Sequence, residues 1–353
     1  MPRLVEFAAW LLALLLTPAI MLGCLIARPS WLVQVGIWAI WLAAALLFDA
    51  WSPRVTTVPR QHRPDGAAAA LLFWLPPLFV LVVLGWALSL AAAHAFDAGQ
   101  FLLTAFGLGL SIATVAGGTA HELVHSRNRL ARGAAQALTF LYGYPHYPIV
   151  HIRVHHAHTA APFDPGTSLL NEPLPAYMLR ALRLAWQGGW SVEKRRLARL
   201  GLPAWHWRNR MSRAIALQIA VIAAVSAVFG PAGLGLFLLQ IANAGFMILG
   251  IDYTQHYGVR RRELANGRLE PVTAAHAWTS DHAFNRSVFN LGLHSDHHLR
   301  PQLGFPDRAV AAGSLQAPFG YPGLFLLALV PPLWFRVMNP RLAAAQRLAG
   351  APT

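Results

Sequence analysis

The sequence predicts an all-α integral membrane protein in which six transmembrane helices carry a histidine-rich, two-metal site on their cytoplasmic side. Three observations lead there. Of 353 residues, 56% are hydrophobic and only 12% charged, where a soluble domain carries about a quarter charged residues. Six apolar segments reach or approach the roughly 20 residues that a bilayer core of about 30 Å requires. Sixteen histidines accompany a single cysteine, and nine of them fall in four clusters.

The first span covers residues 7–27 and is uncharged; its length suits a retained helix better than a cleaved signal peptide. The second covers 31–48. The third, 67–93, contains Pro76-Pro77, which predicts a kink. The fourth covers 101–120, and the last two, 214–229 and 232–251, are separated by Gly230-Pro231. Another apolar stretch, 134–150, is interrupted by Gly143, Pro145 and Pro148 and reads as a re-entrant or interfacial piece. The whole chain, 1–353, forms a single membrane domain whose catalytic segments are 121–213 and 252–353.

Basic residues orient these spans. With the N-terminus inside, the outer turns contain one Lys or Arg, Arg28, and the other 27 lie on the cytoplasmic side together with both termini. The net charge of +14 is thus explained first by topology and contact with anionic lipid, and second by docking of an acidic protein. No basic soluble domain or base-stacking module is visible, so nucleic acid is not an expected partner. The lone Cys24 excludes a disulfide framework and a cysteine-ligated cluster within this chain.

The histidine clusters are His121-Glu122-Leu123-Val124-His125, continuing the fourth span; His151-Ile152-Arg153-Val154-His155-His156; His256, just past the sixth span; and His294-Ser295-Asp296-His297-His298. Residues at i and i+4 share a helix face. A single His-x-x-x-His pair is more often a surface pair than a ligand pair, but nine imidazoles on one side of the membrane point to metal. Two six-coordinate ions offer about twelve positions, leaving about three open for oxygen or water. Imidazole suits iron, zinc, copper and nickel alike, and iron best suits oxygen activation. His121-Glu122-x-x-His125 also matches the zinc protease motif, which leaves seven clustered histidines unexplained. A metal transporter would need ligands along the spans, where none occur.

The HELVH box, the stretch HIRVHHAHTAAPFDPGTS (151–168), the QHYG and HSDHH boxes and the tail GYP…ALVPPLWFRVMNPR together resemble the bacterial membrane alkane 1-monooxygenases, which are related to fatty-acid desaturases and xylene monooxygenase. The resemblance runs from the end of the second span almost to the C-terminus. It implies a non-haem di-iron centre held by His121, His125, His151, His155, His156, His256, His294, His297 and His298. It also implies hydroxylation of a terminal methyl group to a primary alcohol with O2, using electrons from rubredoxin and its NADH-dependent reductase or an equivalent ferredoxin-type donor. With one cysteine, this chain cannot contain a rubredoxin domain. The implied location is the bacterial inner membrane. Val150 and Ile152 flank His151 where the family has Glu and Asn, and Asp252 and Gln255 replace Asn and Glu in the third box; His158 is also unusual.

Glu122, Asp164, Asp252 and Asp296 are candidate acceptors for imidazole N–H groups, and His276 is a candidate supporting residue, with Trp278 and His282 beside it. Trp41 is the candidate that limits substrate chain length, although most tryptophans are expected at the lipid interface. His62, His94 and His206 look incidental. The lipophilic substrate is expected to enter from lipid. Rival readings are hydroxylation of methyl groups on aromatic or terpene substrates, and, third, acyl desaturation.

Overall fold

The computed structural model describes residues 2–54 and 66–348, so His62 lies outside the described residues. Apolar composition alone drives the first three helices: α1 (Pro2–Ala27), α2 (Trp31–Trp51) and α3 (Gly66–Ala92). Pro76 and Pro77 lie inside α3 without ending it. Helix α4 (Ala98–Ser111) starts at a capping box in which Asp97 and Gln100 satisfy each other's backbone N–H groups. It runs through a π-helical turn, Ile112–Gly117, into α5 (Gly118–Val124). The fourth helical run therefore reaches Val124 rather than residue 120, which places His121 within it.

The interrupted 134–150 stretch forms short pieces, as its glycine and prolines predict: α6 (Arg129–Thr139), a 3₁₀ turn at Phe140–Tyr142, and α7 (Tyr147–Val150). Gly143 turns the chain there at φ 68°. A second π-helical turn, His151–His155, leads into the single turn α8 (His156–His158). Next come α9 (Leu174–Ala198) and the 47-residue α10 (Arg210–His256), capped by the Asn209 side chain. The later elements are α11 (His294–Leu299), α12 (Tyr321–Ala328) and α13 (Pro331–Leu348), with a two-residue parallel pairing of β1 (Trp278–Thr279) and β2 (Leu315–Gln316).

Among the described residues, five helices are long and apolar enough to cross a membrane: Arg3–Ala27, Trp31–Trp51, Gly66–Ala92, Ala98–Val124 and Arg210–His256. The two spans expected at 214–229 and 232–251 are both contained in α10. A straight α10 would be about 70 Å long, more than twice a bilayer core. It is not straight, because Gly230 adopts φ 65° and ψ −170° and interrupts it.

Polar contacts show which helix ends lie together. At one end, Gln100 Nε2 donates to the Pro29 carbonyl at 2.9 Å, joining the α1–α2 and α3–α4 turns. At the other, Glu6 of α1 pairs with Arg286 at 3.1 Å, and the Asp49 carboxylate of α2 accepts from the Phe284 amide at 2.7 Å. Close packing between α4 and α10 depends on Gly109, where a Cβ would strike the Asn243 side chain. Asn243 Nδ2 in turn donates to the Phe106 carbonyl at 2.9 Å.

Candidate metal centre

Nine histidines from four separate segments converge at the Glu6–Asp49 end of the bundle. His121, His125, His151 and His297 form one group and His155, His256, His294 and His298 another, with the ligand nitrogens of each group within 4.8 Å of one another. His156 Nε2 lies 3.1 Å from Nε2 of both His151 and His297, which joins it to the first group.

Local geometry explains this five-and-four division. In an α-helix, residues five apart point about 140° away from each other; the wider π-helical turn, closed here by the His156 amide donating to the His151 carbonyl, narrows that angle. The turn at His151–His155 therefore aligns His151 with His156 and turns His155 toward the other group. On α11, His294 and His298 are four apart and share a group, while His297 reaches across to the first.

The spacing of the nitrogens fits metal. Nε2···Nε2 distances are 3.0 Å for His125–His151, 2.9 Å for His256–His294 and 3.0 Å for His294–His298. With metal–nitrogen bonds of about 2.1 Å, ligands at right angles lie about 3.0 Å apart and tetrahedral ligands about 3.4 Å. The observed values match the former, with His256–His298 longer at 3.4 Å. Both ring nitrogens of His121 are buried without a hydrogen-bond partner among the described residues, a costly arrangement for a centre without cations. Burial holds His125 down to about 3 and lowers His151, His156, His294, His297 and His298 as well. These rings stay neutral and keep a lone pair available for metal.

The surrounding contacts set ring tautomers. Burial lowers the His155 pKa, but the Asp164 carboxylate outweighs it and the net shift is upward. Both Asp164 oxygens lie 3.0 Å from His155 Nδ1, and Asp164 also accepts from Thr167 Oγ1 at 2.7 Å and the Gly166 amide at 3.1 Å. A proton on Nδ1 leaves His155 Nε2 facing its group. Thr159 Oγ1 donates to the His155 carbonyl at 2.8 Å and lies 3.2 Å from His298 Nδ1, so it accepts from that ring.

The other candidate residues have different surroundings. Glu122 Oε1 is 3.5 Å from His121 Nδ1, but the carboxylate pairs chiefly with buried Arg308 at 2.5 Å and the Phe305 amide at 3.0 Å. Asp296 receives Arg300 Nε at 2.8 Å and the Ala309 amide at 2.9 Å rather than an imidazole. The His276 ring contacts the Thr273 amide at 2.9 Å and Glu270 at 3.4 Å rather than a clustered imidazole, while the His276 backbone hydrogen-bonds to His256. Trp278 Nε1 donates to the Tyr257 carbonyl at 2.8 Å, and His282 Nδ1 lies 3.0 Å from Ser280 Oγ. His158 Nδ1 lies 2.8 Å from the Val154 carbonyl; His94 is exposed and His206 half-buried. Sequence reasoning missed Arg308 and Thr159, because each meets its partner across more than a hundred residues.

An almost wholly apolar cavity of about 340 Å³ lies between α2, α4 and α12, lined by Trp38, Trp41, Phe106, Phe284 and Phe325 among others. The Trp41 ring stands edge-on to Trp38 at 6.3 Å and to Phe284 at 6.1 Å. A smaller cavity of about 30 Å³ shares Ala113 and Ile251 with it and is lined by His121, His151, His294 and Asp252. Gln255, beside this smaller cavity, hydrogen-bonds through Nε2 to the Tyr321 hydroxyl beside the larger one.

Residues 98–312 match the fatty acid desaturase family. The chain is 30% identical to alkane 1-monooxygenase 1 of Alcanivorax borkumensis, over 93% of this chain and 82% of that protein. It is 29% identical to the alkane 1-monooxygenase of Ectopseudomonas oleovorans, over 94% and 84% of the two chains. A xylene/toluene monooxygenase hydroxylase component from Pseudomonas putida is 30% identical over 63% of this chain and 59% of its own.

Proposed function

The chain belongs to the fatty acid desaturase family, and from that membership we propose that it is a multi-pass inner-membrane, non-haem di-iron monooxygenase that converts the terminal methyl group of alkanes to a primary alcohol. The observation that carries this reading is that an apolar cavity and a small cavity bordered by His121, His151 and His294 share Ala113 and Ile251 in their linings. Resemblance to proteins named alkane 1-monooxygenase supports the same substrate class.

The nine histidines would hold two irons, which supply the oxygen activation needed to break an unactivated C–H bond. The protein's part is binding and orientation. The aromatic walls would take the alkane out of lipid, with Ala113 and Ile251 standing between its chain end and the histidines. Trp41 lines the cavity, so its bulk bears on how long a chain fits. Asp164 and Thr159 fix His155 and His298 with their Nε2 atoms facing the cluster. Asp252 borders the small cavity, and the hydrogen bond from Gln255 to Tyr321 ties the wall of the small cavity to that of the larger one. Electrons come from a separate rubredoxin-type protein and its NADH-dependent reductase, docking on a basic cytoplasmic face.

The test is product analysis by gas chromatography. Iron-quantified protein is supplied with rubredoxin, its reductase and NADH, then offered octane, dodecane, hexadecane and p-xylene together. A primary alkanol with about two irons per chain, within the twelve-position arithmetic of two hexacoordinate ions, is the expected result. Benzylic alcohol alone would move the protein to the aromatic-methyl branch, and an alkene or desaturated acyl product would overturn hydroxylation.

A further inference from the structure

A second large cavity, about 370 Å³, lies apart from the apolar one, where α5, α6, α7 and the start of α10 meet. Four arginines line it, Arg132, Arg153, Arg210 and Arg213, and no carboxylate does. Arg210 is already matched by Glu193 at 2.7 Å. Arg132 donates through Nη1 to the Ser126 and Arg127 carbonyls, both at 2.8 Å, and keeps its charge unmatched. Among the described residues, Arg153 and Arg213 have no ion-pair partner. The remaining lining is largely apolar, including Ile152 and Leu217. Leu217 is four residues after Arg213, so one face of α10 passes from guanidinium to aliphatic within a turn.

We infer that this cavity binds an anionic phospholipid, its phosphate among Arg132, Arg153 and Arg213 and an acyl chain along Leu217. A ligand for this lining must be negatively charged at one end and aliphatic at the other. A folded acidic protein cannot insert into such a recess, and no aromatic ring lines it to stack a nucleotide base. Basic recesses between helix ends on the cytoplasmic side suit phospholipid headgroups. The inference rests on the reading that α10 enters the bilayer.

The site has a structural consequence. Arg153 stands between His151 and His155 in the π-helical turn and is exposed where they are buried. A phosphate held by Arg153 braces the ligand-bearing turn from its outer side.

The experiment uses the full chain reconstituted in nanodiscs containing equal phosphatidylglycerol and phosphatidylcholine. Lipid retained after detergent re-extraction is counted by mass spectrometry for the native protein, for Arg153→Gln with Arg213→Gln, and for Arg153→Lys with Arg213→Lys. Arg195→Gln with Arg199→Gln removes the same charge from α9, outside the cavity. The native and control proteins should retain phosphatidylglycerol preferentially. The glutamine pair at 153 and 213 should lose about thirtyfold of that preference, because each of the two cations contributes about 1 kcal/mol, and the lysine pair should recover part of it. A glutamine pair that elutes aggregated is replaced by the lysine pair, whose preference must then fall below the native value.

Equal retention in the native and glutamine proteins would overturn the site. So would displacement of the lipid by inorganic phosphate alone, which would mean a simple anion site, or unchanged retention with slowed reduction by an acidic electron donor, which would mean a protein-docking face. A chain that does not sediment with membranes would overturn the membrane reading itself, whereas a sedimenting chain without headgroup preference overturns the lipid site only.

Discussion

Asp164 meets His155 with both carboxylate oxygens while Gly166 and Thr167 donate to the same carboxylate. Asp164→Asn keeps the shape but weakens the acceptor that fixes the ring, so metal affinity should fall about 10–100-fold; metal retained after dialysis against a graded chelator measures it. Arg308 is 2% exposed and pairs with Glu122, which is 8% exposed. Arg308→Met strands that carboxylate and should cost about 3–5 kcal/mol, read from denaturant unfolding in detergent, with Glu122→Gln added to Arg308→Met restoring most of it. Trp41→Ser should shift the product profile toward longer alkanols, and an unchanged profile would remove Trp41 from the chain-length role. Eight of the nine histidines were legible in the sequence because they sit in short, closely spaced boxes, whereas His256 stands alone past its span and Asp164 was only a candidate from its Pro-Phe-Asp-Pro turn. Arg308 and Thr159 were not. Arg308 lies far along the chain from Glu122, and Thr159 is 139 residues from His298, so no local pattern marks either contact.

Between elements, the corner of α9 and α10 is held by Glu193, fully buried and paired with Arg196 at 2.8 Å and Arg210 at 2.7 Å. Burial alone would raise its pKa, but the hydrogen bonds from Arg196 and Arg210 outweigh burial and hold it down to about 2, against an ordinary 4.5. A depressed carboxylate pKa stabilises the folded state above the unfolded value, and that stability is lost as pH falls from about 4.5 through about 2. Glu193→Gln should therefore flatten the acid side of a pH–stability curve, followed by circular dichroism across that window. The break at Gly230 was readable from Gly-Pro alone, because a glycine can take positive φ and proline lacks the amide that would continue the ladder. The π-helical turns at Ile112–Gly117 and His151–His155 were not readable. Their residues suit an α-helix equally well, and only packing against α10 and the histidine cluster selects the wider turn.

For the whole molecule, the apolar segments predicted both the helices and their approximate limits, and both halves of α10 retain bilayer-spanning length. What composition could not show was that the apolar cavity between α2 and α12 would share Ala113 and Ile251 with the small cavity bordered by histidines, since its walls come from segments at both ends of the chain. If electrons arrive from an acidic donor, as proposed, the excess of arginine over acid should make that transfer sensitive to salt. Its second-order rate should fall as ionic strength rises and the Debye length shortens from about 10 Å at 0.1 M to about 3 Å at 1 M; a flat stopped-flow profile would count against charge steering. The convergence of nine imidazole lone pairs also bears on biogenesis. Segments as far apart as His121 and His298 close on one another with their nitrogens near one another, and bound cations would make that closure favourable. Cells deprived of metal should then degrade the newly made polypeptide instead of storing it, so its abundance in membranes becomes a gauge of metal supply.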